Sequence, residues 1–155
     1  MNRAADVDRA GTGDAAATQG AARGVLVTHG GLAVGLVDAV RRIAGLEPGV
    51  LEPLSNEGLS RDRLCEEIRR LAGDGPAVIF TDLEAGSCTL AARMTCRGCS
   101  GLAVVSGVNL PMLLEFVFNR EHPLPELTQK LTQKGCAAIQ AVEVKRGHDD
   151  RPVSG

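Results

Sequence analysis

The chain has almost no aromatic side chains. Among its 155 residues there are three Phe and neither Trp nor Tyr. Proteins that bind sugars or single-stranded nucleic acids commonly stack these ligands on aromatic rings. A net charge of −2 likewise provides no general attraction to nucleic acids or anionic membranes. The composition therefore argues against a sugar-stacking site and predicts no nucleic-acid partner.

Long apolar runs are missing as well. None approaches the roughly 20 residues that a membrane-spanning helix needs, and the N-terminal segment contains no apolar stretch typical of a secretory signal. We therefore expect a cytoplasmic protein without direct membrane insertion, whose cysteines are reduced thiols. These cysteines are odd in number: Cys65, Cys88, Cys96, Cys99 and Cys136.

The length predicts a single domain, and the composition of both ends differs from that of the rest of the chain. Residues 1–22 are rich in Ala, Gly, Thr and Asp without periodicity, which is typical of a disordered leader. Residues 145–155 are polar and predict a flexible tail. We place the folded domain at residues 23–144.

Short apolar runs alternate with amphipathic segments inside this domain. Val25–Val27, Ala77–Phe80 and Leu102–Val105 are uniformly apolar, as in strands buried on both faces of a parallel sheet. Val50–Leu54 contains a proline and a charge, which favours an edge strand. The residues from 137 to 144 could form a fifth, antiparallel strand.

Five helices are predicted between and after these strands, and several have recognisable ends. Ser60 and Gly73 bracket the second helix as its cap and its terminator, the third spans 87–97, and Asn109 opens the fourth, over 109–120. The resulting fold class is α/β. We expect three layers, with four parallel strands, the possible antiparallel fifth, and helices on both faces.

A histidine stands where the first strand ends. His29 is followed by Gly30 and Gly31, after which a helix is predicted to begin. Backbone N–H groups at a helix start, unobstructed by side chains, bind anions well. A neutral imidazole nitrogen can accept a phosphoryl group there. The simpler alternative is that His29 only forms a hydrogen bond in a tight loop.

An aspartate stands at the corresponding position of the third strand. Because parallel strands end at the same edge of a sheet, Asp82 is expected to lie close to His29. Its carboxylate would hold the Nδ1 proton of the ring and leave Nε2 as nucleophile. Gly86 and Ser87 would add phosphate-binding groups at the next helix start. The alternative is that Asp82 and Ser87 only cap a turn and a helix.

These loops resemble a known family. The runs Val25–Gly30, Thr81–Ser87 and Val105–Glu115 are similar to motifs of the mannose-family enzyme IIA domains of the phosphoenolpyruvate-dependent sugar phosphotransferase system, PTS. The resemblance covers residues 24–142 in the same order and spacing. It implies that His29 receives phosphate from the phosphocarrier protein HPr and passes it to a IIB domain.

The resemblance also implies the supporting site residues and the oligomeric state. Asp82 takes the place of the family's aspartate and acts with His29 in catalysis, while Gly30, Gly86 and Ser87 bind the phosphate. A homodimer is implied, with a C-terminal strand that could be exchanged between subunits. The apolar fourth helix independently favours burial under a partner subunit. No cofactor is expected.

Four residues of the second loop depart from the family pattern. Ala85 replaces a glycine, which would strain the loop if this position required a positive φ. Cys88 replaces a proline of the first helical turn, and Leu90 replaces an asparagine. Glu84 adds a negative charge near an incoming phosphate. These changes bear on the rate of transfer and on the choice of partner.

The remaining chemical motifs are weak. Cys96 and Cys99 form one CxxC pair, whereas a structural zinc site needs four ligands, so we predict no metal site. Cys88 is the thiol closest to the expected phosphate loop. The alternatives for function are a docking module that kept the fold and lost transfer, and a IIA-like subunit acting on a dihydroxyacetone kinase. The run Gly107–Met112 favours the mannose group.

Overall fold

The alternation of strands and helices is preserved in the computed structural model, which describes residues 20–142. Within this range, four strands and five helices form an α/β fold, as predicted. The strands are β1 (Arg23–Thr28), β2 (Leu51–Ser55), β3 (Ala77–Thr81) and β4 (Leu102–Ser106). The helices are α1 (Leu32–Ala44), α2 (Arg61–Ala72), α3 (Ser87–Cys96), α4 (Leu110–Asn119) and α5 (Leu124–Ala137).

The four strands form one parallel sheet in the order β2-β1-β3-β4. The strand that contains Pro53 lies at an edge, as its sequence predicts, because proline has no N–H to donate to a second neighbour. β1 and β3 occupy the centre, with Val27 of β1 paired to Thr81 of β3. The loops that follow these two strands therefore leave the sheet side by side.

Side chains of the central strands alternate between two cores. Val25 and Val27 point to the face covered by α2 and α3, whereas Leu26 points to the face covered by α1, α4 and α5. Ile79 and Phe80 divide in the same way. All of these residues are fully buried, which explains why both runs are apolar without alternation.

Several helix ends follow the local signals in the sequence. The Ser60 hydroxyl accepts a hydrogen bond from the Arg63 N–H at the start of α2, and Gly73 ends that helix with a φ of 70°. The Asn109 side chain accepts a hydrogen bond from the Met112 N–H at the start of α4. These contacts satisfy backbone groups that a helix terminus leaves unpaired.

The apolar surface of α4 is covered largely within the chain. Met112, Leu113 and Phe116 are buried in the core that α4 shares with α1 and α5. The expectation that a partner subunit must cover this helix was therefore wrong for its buried face, because local periodicity cannot tell which element supplies the cover. Phe118 is exposed on the other side.

The ends of the domain differ in how far the structure describes them. Ala22, which we assigned to the leader, is buried, and its N–H donates to the Arg120 carbonyl. Residues 1–19 and 143–155, with most of the predicted leader and the tail, lie outside the described residues. The described part of the predicted fifth strand, residues 138–142, is not in a strand. None of the helices within residues 20–142 is long and apolar enough to cross a membrane.

Candidate functional site

The imidazole of His29 contacts the carboxylate of Asp82 at the carboxyl edge of the sheet. Nδ1 of His29 lies 2.9 Å from Oδ2 of Asp82, and the backbone N–H of His29 donates to the same oxygen at 3.0 Å. The ring and the backbone of one residue are thus held by a single carboxylate. No hydrogen bond engages Nε2 among residues 20–142.

The two side chains differ in accessibility. The His29 side chain is 45% exposed, whereas that of Asp82 is 11% exposed, so a large partner can reach the ring while the carboxylate stays behind it. Burial raises the pKa of Asp82, but hydrogen bonds from the backbone and ring of His29 and from the Leu83 N–H outweigh this effect and lower that pKa. Asp82 is therefore ionised at neutral pH and can only accept a hydrogen bond in this contact, which places the proton on Nδ1 of His29 as its donor.

Two glycines lie next to the ring. Gly30 has a φ of 55°, and Gly86 has a φ of 131° at the residue before α3. A Cβ atom on Gly86 would lie 3.9 Å from Cε1 of His29. Gly86, the residue before α3, has no side chain that could cap that helix. The start of α3 can therefore offer N–H groups to an anion beside the imidazole.

Asn56 is a site residue that the sequence analysis did not identify. It follows β2, is half-buried, and donates a hydrogen bond from Nδ2 to the Ser87 hydroxyl at 3.2 Å. This contact orients the hydroxyl that was predicted to bind phosphate. The neighbouring Glu57 places a carboxylate oxygen 3.7 Å from the position of a Cβ on Gly30.

A group of hydroxyls behind the site was also missed. The Thr81 hydroxyl donates to the Ser106 hydroxyl at 3.0 Å and accepts from the Thr89 hydroxyl at 2.8 Å. Thr28 accepts from the Ala33 N–H at 2.8 Å and so fixes the start of α1. These contacts hold the loops that carry Asp82 and His29. The available signal is that all four strands end in Ser or Thr.

The residues that depart from the family pattern take clear positions. All non-glycine residues of the described range have negative φ, so Ala85 is not strained, and within the loop from Asp82 to Ser87 the positive φ falls on Gly86. Cys88 is buried, with its Sγ 4.0 Å from Nδ1 of His29. Burial and the charge of Asp82 raise the pKa of Cys88, so it is a neutral thiol at neutral pH. Glu84 and Leu90 are exposed.

The residues that the sequence analysis set aside lie elsewhere. Nδ1 of His122 lies 3.1 Å from Oε1 of Glu126 at the surface. His148 lies outside the described residues. Cys96 is the last residue of α3, and Cys99 follows three residues later. Burial raises the pKa of Cys96 to about 11, with a smaller contribution from Cys99.

The conformation of Gly86 leads to a stability prediction. Since L-residues rarely adopt its φ of 131°, Gly86→Ala is expected to reduce the free energy of unfolding by about 1–3 kcal/mol. The matched control is Gly35→Ala, at an exposed position inside α1 with open space around its Cα. This change should stabilise the protein by about 0.5–1 kcal/mol. Urea unfolding measures both, and equal stability of Gly86→Ala and the parent would contradict the assignment of strain.

Comparison with known families identifies the fold that carries this site. The profile of EIIA-man, described as the PTS system fructose IIA component, matches residues 24–132, which is more than half of the chain. The chain belongs to this family. The resemblance seen in the sequence is thereby confirmed, and the protein is a PTS IIA component.

Solved structures of IIA proteins have the same fold. The mannose/sorbose specific IIA subunit from Enterococcus faecalis is 25% identical, with a TM-score of 0.70, over 81% of this chain and 98% of that one. A phosphotransferase system component EIIA from Streptococcus agalactiae is 22% identical, with a TM-score of 0.71, over 77% and 95%. A PTS IIA protein associated with the fucose utilization operon from Streptococcus pneumoniae is 19% identical, with a TM-score of 0.65, over 77% and 93%. No curated protein matches the chain at a significant level.

Proposed function

We propose that this IIA component carries phosphate on His29, accepting it from HPr and passing it to a IIB domain or protein. The observation that carries the proposal is the contact of 2.9 Å between Nδ1 of His29 and Oδ2 of Asp82. With the Nδ1 proton held there, Nε2 keeps its lone pair and has no hydrogen-bond partner among residues 20–142, in a side chain that is 45% exposed. This is the arrangement required of a nucleophilic imidazole.

Phosphoryl transfer to His29 would proceed in line. A bond forms between Nε2 and phosphorus while the bond that held the phosphorus on HPr breaks, and the proton on Nδ1 of His29 stays in its hydrogen bond to Asp82. Gly30, Gly86 and Ser87 would hold the phosphate oxygens, with Asn56 orienting the Ser87 hydroxyl. The amino end of α3 favours the negative charge. Transfer to IIB is the same step in reverse with a different acceptor.

Exposed leucines beside the site support protein partners. Leu32 follows the His29 loop, Leu83 follows Asp82, and Leu90 lies one turn into α3, with exposed fractions of 46%, 56% and 49%. Apolar side chains around a polar centre are typical of protein interfaces. With a net charge of −2 there is no feature that favours nucleic acid. We infer that the partners meet the protein in the cytoplasm.

The proposal is tested by reconstituting the transfer. Incubation with phosphoenolpyruvate, enzyme I and HPr is expected to place one acid-labile, base-stable phosphate on each chain, as for a phosphohistidine. Omitting HPr is the control and should leave the protein unlabelled. Chase with a IIB protein should then remove the phosphate. A chain that stays unlabelled with an active HPr would instead support the alternative, a regulatory docking module that kept the IIA fold.

We further propose that the domain predicted over residues 23–144, which also packs Ala22 into its core, forms a homodimer. β4 has no neighbouring strand on its outer side among the described residues, and four of its five residues, all except Val105, are only half-buried. The segment after α5 exposes Ile139 and Val142, at 78% and 85%. A second subunit could cover both features.

The dimer has a direct test. Light scattering at micromolar concentration is expected to give twice the chain mass of 16.1 kDa. Replacing Ile139 and Val142 together by aspartate should shift the mass toward the monomer, whereas aspartate at exposed Ile43 of α1 should leave it unchanged. A monomeric mass for the parent protein would contradict the proposal.

A further inference from the structure

Cys88 brings a third metal-ligating side chain to the His29 and Asp82 pair. Its Sγ lies 4.0 Å from Nδ1 of His29, which is itself 2.9 Å from Oδ2 of Asp82. One donor atom from each of the three residues lies within 4.8 Å of the other two. Cys88 occupies the first turn of α3 and is 1% exposed, so its position is set by packing in the core.

The three donors match the preferences of a borderline-soft divalent metal ion. Imidazole, thiolate and carboxylate are the protein ligands of Zn²⁺, at bond lengths of about 2.0–2.3 Å. Tetrahedral geometry with these bonds separates the ligand atoms by roughly 3.3–3.8 Å. Shifts on the order of an ångström in the ring and the carboxylate would bring the observed separations into that range.

We propose that His29 Nδ1, Asp82 Oδ2 and Cys88 Sγ form a binding site for one divalent transition-metal ion of the Zn²⁺ type. Water would take the fourth position of a tetrahedral ion. Binding releases the Cys88 thiol proton to solvent, while the ring proton leaves Nδ1 and Nε2 takes one up from solvent, so the imidazole stays neutral and no atom changes oxidation state. The other cysteines lack this setting, since no further ligand completes a group of three around Cys96 and Cys99 within residues 20–142.

The site has a regulatory consequence that rests on the proposed function. A metal on Nδ1 takes the place of the proton that Asp82 holds, and it adds positive charge to the ring that must act as a nucleophile. Metal binding and phosphorylation of His29 are then mutually exclusive. The metal would hold the protein in an unphosphorylated state.

Cobalt reports on the site directly, because a thiolate bound to Co²⁺ produces a charge-transfer absorption. The background protein carries Cys96→Ser, Cys99→Ser and Cys136→Ser, which removes the exposed and half-buried thiols. Titration with Co²⁺ alone is expected to give this absorption with a stoichiometry of one ion per chain, and Zn²⁺ should abolish it by displacement. Absence of the absorption at excess Co²⁺ would overturn the proposal.

Variants of the ligands locate the ion. Cys88→Ser should remove the absorption. Removing a residue that only hydrogen-bonds to a metal ligand typically weakens metal binding by about 10–100-fold. His29→Gln removes a ligand itself, so it should weaken binding by at least about a hundredfold. Cys65→Ser is the matched control, because its buried thiol instead donates to the Ala91 carbonyl, and the absorption should persist. An absorption that survives in Cys88→Ser would also overturn the site.

The regulatory consequence is separated from the proposed function by a transfer assay. Purified phospho-HPr is mixed with the background protein with and without one equivalent of Zn²⁺. The ion should slow labelling at least tenfold, whereas the rates of the Cys88→Ser variant with and without Zn²⁺ should agree. Cobalt binding without any labelling would reject the proposed function and keep the metal site. Labelling without cobalt binding would reject the metal site and keep the proposed function.

Discussion

Replacing His29 by alanine is expected to reduce phosphate incorporation from phospho-HPr to background. The imidazole is the nucleophile in the proposed reaction, and no second histidine lies near it within residues 20–142. Because 45% of the side chain is exposed, its loss should leave the fold intact. The measurement is acid-labile label per chain after reaction with an excess of phospho-HPr.

The control for this loss is His122→Ala. His122 contacts Glu126 and Lys130 on the surface, and its removal should leave the labelling at the level of the parent protein. Label that persists in His29→Ala and disappears in a variant of His122 or His148 would show that the phosphorylated residue was assigned wrongly.

Replacing Asp82 by asparagine is expected to slow transfer by about 10²–10⁴-fold while the protein still folds. The asparagine oxygen can still accept the backbone N–H of His29, so the loop keeps one contact. Its amide can also donate to Nδ1, which favours the tautomer with the proton on Nε2 and removes the nucleophilic lone pair. The carboxylate charge that stabilises the ring during transfer is lost as well.

Ser87→Ala provides the comparison for Asp82→Asn. It removes one hydroxyl but leaves the backbone N–H groups at the start of α3, and a single neutral hydrogen bond is worth about 1 kcal/mol. The expected loss is therefore about fivefold. Both variants are timed against the parent protein in single-turnover transfer from phospho-HPr. Equal rates for Asp82→Asn and the parent would show that the carboxylate does not orient the ring.

The positions of the strands and the burial of β1 and β3 could be predicted because their signals are local. The prediction that Leu102–Val105 is buried on both faces was wrong, since β4 lies at the second edge of the sheet and only Val105 is buried. A strand covered on both faces has no room for polar side chains, and β1 and β3 are apolar throughout for this reason. Pro53 marked an edge because it cannot donate a hydrogen bond to a second neighbour. Caps such as Ser60 and Asn109 were equally readable, since each acts within three residues of its own position.

The contact between His29 and Asp82 could be anticipated from two general properties of parallel sheets. Functional residues of such sheets lie beyond the carboxyl ends of the strands, and neighbouring strands end there at the same level. What the sequence did not contain was the strand order that makes β1 and β3 neighbours. That order depends on how two cores are filled at once, which is a property of the whole domain.

Asn56 and Cys88 illustrate what sequence reasoning missed. Asn56 follows an edge strand and contacts Ser87, which is 31 positions away in the chain. The sequence around either residue therefore contains no local pattern that predicts the contact. Cys88 was noticed as a thiol near the loop, but its approach to Nδ1 follows from how α3 packs on the sheet. The cover of α4 by α1 and α5 is of the same kind.

By itself, the sequence determined the α/β class, the positions of four strands, the family and the histidine and aspartate of the candidate site. These features depend on local periodicity, on residues with special backbone or capping properties, and on short motifs. Only the tertiary structure decided which strands adjoin, that Asp82 holds both the ring and the backbone of His29, and that Cys88 faces the same ring. Each of these arises where packing of the two cores brings together residues separated by tens of positions, and local signals do not extend that far.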